Sequence, residues 1–183
     1  LGKLARWLDE REIDLSLLPP ENVEVGERED GIEFDYNEPE HNNLQAGDVV
    51  LLSNELMLKE AIRPLYLAVL RNWEDDYWLF APFSPYSEPA TDNELRMESD
   101  DFGLRVLCLW NSHTARRETL AKSWFIGKLS DVERKDALSV FWHSIGTKEL
   151  PDYLNERVGA QLLHSEDPRR AYICEQLALL ALA

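Results

Sequence analysis

The residues able to do chemistry in this 183-residue chain are few and scattered. Glu74-Asp75-Asp76 offers three carboxylates in a row, the oxygen-rich kind of cluster that can hold a hard cation. It falls between two apolar runs, where a turn is expected, so it reads as a solvated turn and no metal is assigned. The histidines at His41, His113, His143 and His164 show no ligand spacing. His113 lies close to Thr114 and Arg116 and has the chemistry of an acid or base, but its setting is that of a surface residue. Cys108 lies in an apolar run and Cys174 in an apolar helical pattern, so both read as small buried hydrophobes and not as a disulfide. Trp73, Trp78, Trp110, Trp124 and Trp142 have apolar neighbours and read as core, not as a platform for stacked bases. No phosphate-binding glycine loop, nucleophile elbow or paired-cysteine motif is present, and no cofactor is implied.

Charge narrows the partners. The net charge is -16, which repels nucleic acid at long range because phosphates are bound by clustered Lys and Arg. The excess is uneven. Residues 1–45 carry 13 acidic and 4 basic side chains, residues 46–150 carry 17 and 12, and residues 151–183 carry 5 and 3. RNA is therefore disfavoured most by the N-terminal segment, and no DNA partner is expected. Hydrophobic content of 44% with six Trp indicates a folded chain. No apolar run reaches the roughly 18 residues of a membrane span, so no membrane partner is expected. The cysteine usage and the absence of a signal-like N-terminus predict a cytoplasmic setting. A start at Leu1 leaves room for a piece upstream.

The elements that must position these groups follow from apolar patterning. Residues 1–18 suit a short amphipathic helix stopped by Pro19-Pro20, and residues 21–45 form an acidic segment with one half-exposed strand at Gly31–Tyr36. Val49–Leu52, Leu65–Leu70, Tyr77–Phe83, Arg105–Trp110 and Ser123–Leu129 are predicted strands, the second and third forming a hairpin over a polar turn at Asn72–Asp76. Asn54 can cap a short helix through Ala61, and Ser84 to Phe102 reads as a long acidic loop. Asn111–Ala121 reads as a polar connection. Ser130-Asp131-Val132-Glu133 is a capping box, predicting a helix from Asp131 to about Ile145 with Leu138, Phe141 and Ile145 on one apolar face, Ala137 beside them, and Gly146 as its stop. Pro151 and Asp167-Pro168 can each start a further helix, the first through Leu163, the second with Ile173, Leu177 and Leu180 on one face. Its apolar end calls for cover by the domain or by a partner subunit.

Four pieces occur in an order that resembles the PemK/MazF family. They are Gly47-Asp48-Val49-Val50, Arg63-Pro64, Ala81-Pro82-Phe83-Ser84, and Ile126-Gly127-Lys128-Leu129-Ser130 before a helix; Thr114-Ala115-Arg116-Arg117 fits the family's polar Arg/Thr stretch. The resemblance covers about residues 46–146. It implies an α+β, mainly β domain, a small SH3-like barrel with a helix after its last strand. The acidic extension at 1–45 and the helical extension at 147–183 lie outside it.

Many members of that family are ribonuclease toxins that cleave single-stranded RNA without a metal. The resemblance implies Arg63 and Ser84 as the reactive pair. A guanidinium can fork onto a scissile phosphate and stabilise its developing charge, and a hydroxyl can orient the phosphate or relay a proton. The sequence departs from the family in three places. Leu58–Ile62 stands where toxins usually carry Gly and basic residues. Glu88, Asp92, Glu94, Glu98, Asp100 and Asp101 face only Arg96 in the segment after Ser84. Both extensions are additional. These departures favour a non-toxic binding or regulatory protein on the barrel, with a protein partner or self-association. The alternative is a metal-independent endoribonuclease, the toxin of a toxin–antitoxin pair. In a variant that joins the two, the acidic segment Glu27–Glu40 lies over the groove as a built-in inhibitor.

Overall fold

The computed structural model describes residues 43–52, 65–98 and 103–180, with the side chains of the last helix described through Cys174. The expected N-terminal helix, the Gly31–Tyr36 strand, the Asn54–Ala61 helix, Arg63 and the Glu27–Glu40 segment lie outside those residues.

The apolar runs form the centre of an antiparallel sheet. Strands β1 (Asp48–Leu52), β2 (Tyr66–Glu74) and β3 (Tyr77–Pro82) lie side by side. They are flanked by β6 (His113–Arg116) next to β3 and β7 (Ser123–Lys128) next to β1, giving the order β6-β3-β2-β1-β7. A second, two-stranded ribbon pairs β4 (Glu94–Arg96) with β5 (Val106–Cys108). The runs are continuous, not alternating, because both faces of the central strands are covered. Val49, Ala68, Leu70, Leu79 and Ala81 join one core cluster, and Val50, Leu67, Val69 and Phe80 join the other. Successive side chains thus leave the pleat on opposite sides, both dry.

The architecture is α+β and mostly antiparallel. The ladder itself is open: among the described residues, β6 and β7 each pair on one side only. The ribbon joins the main sheet through the bridge Phe83↔Leu107 and the bond from Ser84 N–H to the Val106 carbonyl, 2.8 Å.

The hairpin turn is tighter than expected. Strand β2 runs on through Glu74 and turns at Asp75-Asp76, with Asp75 at a φ of 42°. Aspartate tolerates this left-handed conformation better than most residues. The register between β2 and β3 shifts at Val69/Arg71 and again at Asn72/Glu74. The second shift leaves Trp73 as an extra residue, and the change of register at the first puts it on the side of the cluster that contains Leu70. There it stacks on Trp142 at 5.8 Å and meets Phe141 edge-on at 5.9 Å.

Two stretches expected to be irregular contain structure. The segment Ser84 to Phe102 includes β4, and Asn111–Ala121 includes β6 and the short helix α1 (Arg117–Leu120). Strand β5 is shorter than expected, because Leu109–Asn111 tightens into a 3-10 turn. Locally these segments are polar; they are strands only because a partner strand lies alongside, Cys108 to Val106 for Glu94 to Arg96 and Tyr77 to Phe80 for β6.

Helix α2 (Asp131–Ser144) carries the complete capping box. Ser130 Oγ accepts the Glu133 amide N–H, and a Glu133 carboxylate oxygen accepts the Ser130 amide N–H. Gly146 follows with a φ of 72°, as the stop requires. The inward face keeps Ala137 and Phe141 of the expected one but not Leu138 and Ile145. Glu133, Asp136, Ala137, Val140 and Phe141 are buried, while Leu138 is only partly buried and Ile145 is 49% exposed. Two acids on that stripe hid it from a purely apolar reading. Both are partnered: Glu133 by the cap, and Asp136 by Tyr153 Oη at 2.9 Å and Arg157 Nη1 at 2.7 Å.

The helix expected from Pro151 to Leu163 is a single 3-10 turn, Asp152–Leu154. The following chain runs extended enough for Val158 to bridge Leu95, so residues after 146 share the core of the sheet through Leu154. The last helix, α3 (Arg169–Leu180), forms where Asp167-Pro168 placed it.

Candidate functional site

Ser84 is the sequence-predicted site residue that the structure describes. It ends the run Ala81-Pro82-Phe83, and its backbone is tied to β5 through Val106. Its hydroxyl points inward. Only 1% of the residue is exposed, and Oγ lies 3.1 Å from the Tyr172 hydroxyl of α3. The Tyr86 amide N–H donates to the same Oγ at 3.2 Å. Arg63 lies outside the described residues, so Ser84 is placed here without its proposed mate.

Tyr172 is the residue that sequence reasoning missed. It is 2% exposed, and its ring packs edge-on against Tyr86 at 5.5 Å and Trp110 at 6.3 Å. Its hydroxyl also lies 3.9 Å from Cys108 Sγ. Spacing gave no signal for it: it stands one residue before Ile173, which places it off the face shared by Ile173, Leu177 and Leu180.

Beside this group lies Glu94, a carboxylate in β4 with no exposed surface. A buried carboxylate must be hydrogen-bonded or paired. It accepts the Ala90 amide N–H and the Trp110 indole N–H, the latter at 2.9 Å, and the Cys108 thiol lies at 3.8 Å. Ser84, Tyr172, Cys108, Glu94 and Trp110 are therefore one contiguous polar network, buried except at partly exposed Trp110. Cys108 is buried as expected; Cys174 is exposed, because it lies on the side of α3 away from Tyr172.

Arg169, at the start of α3, clamps the edge of this network. It donates through Nη1 to the carbonyls of Ala90 (2.8 Å) and Ala160 (2.6 Å), and through Nη2 to Gln161 O (3.2 Å). Its Nε and Nη2 also reach the two oxygens of Asp167 at 2.9 and 2.6 Å. Hydrogen bonding from the guanidinium holds the Asp167 carboxyl down from 3.8 to about 2, against an upward push from burial. The same bond raises Arg169, and the negative charges of Asp167, Asp92 and Glu94 raise it further.

The sign of the resulting pH dependence follows from the lowered carboxyl. The Asp167 contribution is complete above its ordinary value and is lost as pH falls from about 4 towards about 2. Urea unfolding across that window is expected to show a steeper acid loss in the native protein than in Asp167→Asn; identical slopes would remove the pair from the stability balance.

Elsewhere the placements are plain. Glu74, Asp75 and Asp76 are exposed turn residues, and among the described residues no group of three His, Cys, Asp or Glu is arranged to hold a metal ion. His113 bonds Asn111 Oδ1 at 3.0 Å, and burial lowers its imidazole from the ordinary value. His143 faces Asp92 at 3.5 Å. No helix of the described residues is long and apolar enough to cross a membrane.

No protein-family model matches this sequence, and no curated protein matches it. Among solved structures, the chain is similar to an endoribonuclease in complex with its cognate antitoxin from a mycobacterial species. The two are 9% identical, the match covers 58% of this chain and 99% of that one, and the TM-score is 0.44. No residue role is carried from it to this chain.

Proposed function

We propose that this chain is a binding or regulatory protein built on a PemK/MazF-like barrel domain at about residues 46–146, and that it does not cleave RNA in the arrangement seen. The observation that supports this reading is the position of Ser84: its hydroxyl is buried and engaged by Tyr172 from a helix the family pattern lacks. A phosphate could not reach it without displacing that helix. The acidic residues after Ser84 act in the same direction, because Glu88, Asp92 and Glu98 lie near it in sequence with Arg96 already paired to Glu88. A protein partner or a second copy is the occupant in this reading, supported by the exposed apolar side chains of Val132, Tyr153 and Leu163. The setting is cytoplasmic, in keeping with the free thiols Cys108 and Cys174.

The second reading is a metal-independent endoribonuclease of the toxin type using Arg63 and Ser84. Its support is the placement of the family-like pieces: Asp48-Val49-Val50 lies in β1, Ala81-Pro82 ends β3, and Gly127-Lys128 ends β7 just before a capped helix.

Incubating the protein with a mixed single-stranded RNA, beside Arg63→Ala, separates the two. The expected result is intact RNA with both proteins and no binding that strengthens as salt is lowered. Cleavage that disappears in Arg63→Ala overturns the first reading and establishes the second.

A further inference from the structure

The last helix is attached unlike the rest of the fold. Strands β1, β2, β3 and β7 are held by antiparallel pairing along their length and by two buried core clusters. Helix α3 is held, among its described side chains, by one buried ring and one guanidinium. Ala171, Cys174 and Arg170 are exposed, and Ile173 is only partly covered. The chain leading to it is also loosely seated. Gly159 is the last point of close backbone approach, with its N–H on the Thr91 carbonyl at 2.9 Å. From Ala160 to Glu166 the residues are exposed apart from partly buried Leu162, and Leu163 is 72% exposed. Over residues 160–174 few apolar side chains are buried, and a stretch of that kind opens at a lower free energy than the core on which it rests.

What α3 covers is polar and aromatic, not aliphatic. Lifting Tyr172 would free Ser84 Oγ, Cys108 Sγ and the edge of the Trp110 ring, and lifting Arg169 would remove a cation from the neighbourhood of Glu94. A packed hydrophobic floor would resist such exposure, whereas hydroxyl, thiol and carboxylate groups exchange their protein partners for water at modest net cost.

We propose that α3 is an intramolecular cover, pinned by Tyr172 and Arg169, which opens as a unit between Gly159 and Arg169 and exposes Ser84, Glu94 and Cys108 while the sheet stays folded. The opening is a property of the fold and goes beyond the functional reading above; its test uses no RNA, so either can fail alone.

The two cysteines make it measurable. In full-length Cys174→Ser protein, Cys108 is the sole thiol, and its reaction with an aromatic disulfide reagent reports access beneath α3. At urea concentrations well below the unfolding midpoint, Cys108 is expected to react at a rate that barely depends on urea, the mark of local opening. Tyr172→Ala in that background is expected to speed the reaction by about tenfold or more, and Arg169→Gln to speed it as well, with near-ultraviolet circular dichroism retained. If Tyr172→Ala fails to fold, Tyr172→Phe keeps the ring and removes the Ser84 contact, and the parent protein's urea dependence decides by itself. Labelling that rises with urea as steeply as global unfolding, or a rate unchanged in both the Tyr172 and Arg169 variants, overturns the proposal.

Discussion

Glu94→Ala is expected to lower the unfolding free energy by about 3 kcal/mol, read from urea denaturation at neutral pH. The wild-type carboxylate has no exposed surface and accepts two N–H groups, one from the Ala90 backbone and one from Trp110. Truncation leaves both donors without that acceptor, at about 1–3 kcal/mol for a buried one such as the Ala90 N–H and less for the part-buried indole. It also withdraws a negative charge from the neighbourhood of the Arg169 guanidinium, which bonds Ala90 O. Glu94→Gln retains one oxygen that can accept, so its loss is expected to be about half as large. A loss below about 0.5 kcal/mol for the alanine variant would mean that dehydrating the carboxylate cancels its bonds, as happens for some buried charges.

Gly159→Ala is expected to cost about 2–3 kcal/mol, by a different route. A Cβ at this position would lie 2.6 Å from the Thr91 amide nitrogen, 2.7 Å from the Ala90 carbonyl carbon and 2.7 Å from the Pro89 carbonyl oxygen. All three are backbone atoms, so no side chain can swing aside. The strand-like segment must back away, stretching Gly159 N–H from Thr91 O and disturbing the bridge Leu95↔Val158. Urea unfolding together with hydrogen exchange at Gly159 and Arg96, whose amide bonds Arg157 O at 2.7 Å, would register both effects. Gly146→Ala is the control. Nothing lies within 4 Å of its added Cβ, so only the left-handed backbone is penalised, at about 1 kcal/mol. Equal costs at the two glycines would show that the close approach at Gly159 relaxes freely.

Neither of these sites is visible in the sequence. Gly159 sits in a stretch that reads as helix, and nothing in its neighbours announces a backbone pressed against residues 89–91. Glu94 reads as one more acid in a solvated acidic loop. Its burial depends on Trp110 and Cys108, 16 and 14 residues further along, which no local pattern couples to it. The inward face of α2 was misread for the same reason: Asp136 is tolerated inside only because Tyr153 and Arg157 arrive from 17 and 21 residues downstream. Ser84 was singled out by resemblance alone, and its cover, Tyr172, lies 88 residues away.

What the sequence determined by itself was local. Unbroken apolar runs specify β1, β2 and β3, because strands dry on both faces need no alternation, and Ser130 with Glu133 specifies the start of α2, because those two residues close the helix end between themselves. Only the tertiary structure decided which polar residues are inside. A carboxylate or hydroxyl is buried when distant donors reach it, as Tyr172 reaches Ser84 and Trp110 reaches Glu94, and such partnerships form through space with no trace in neighbouring residues.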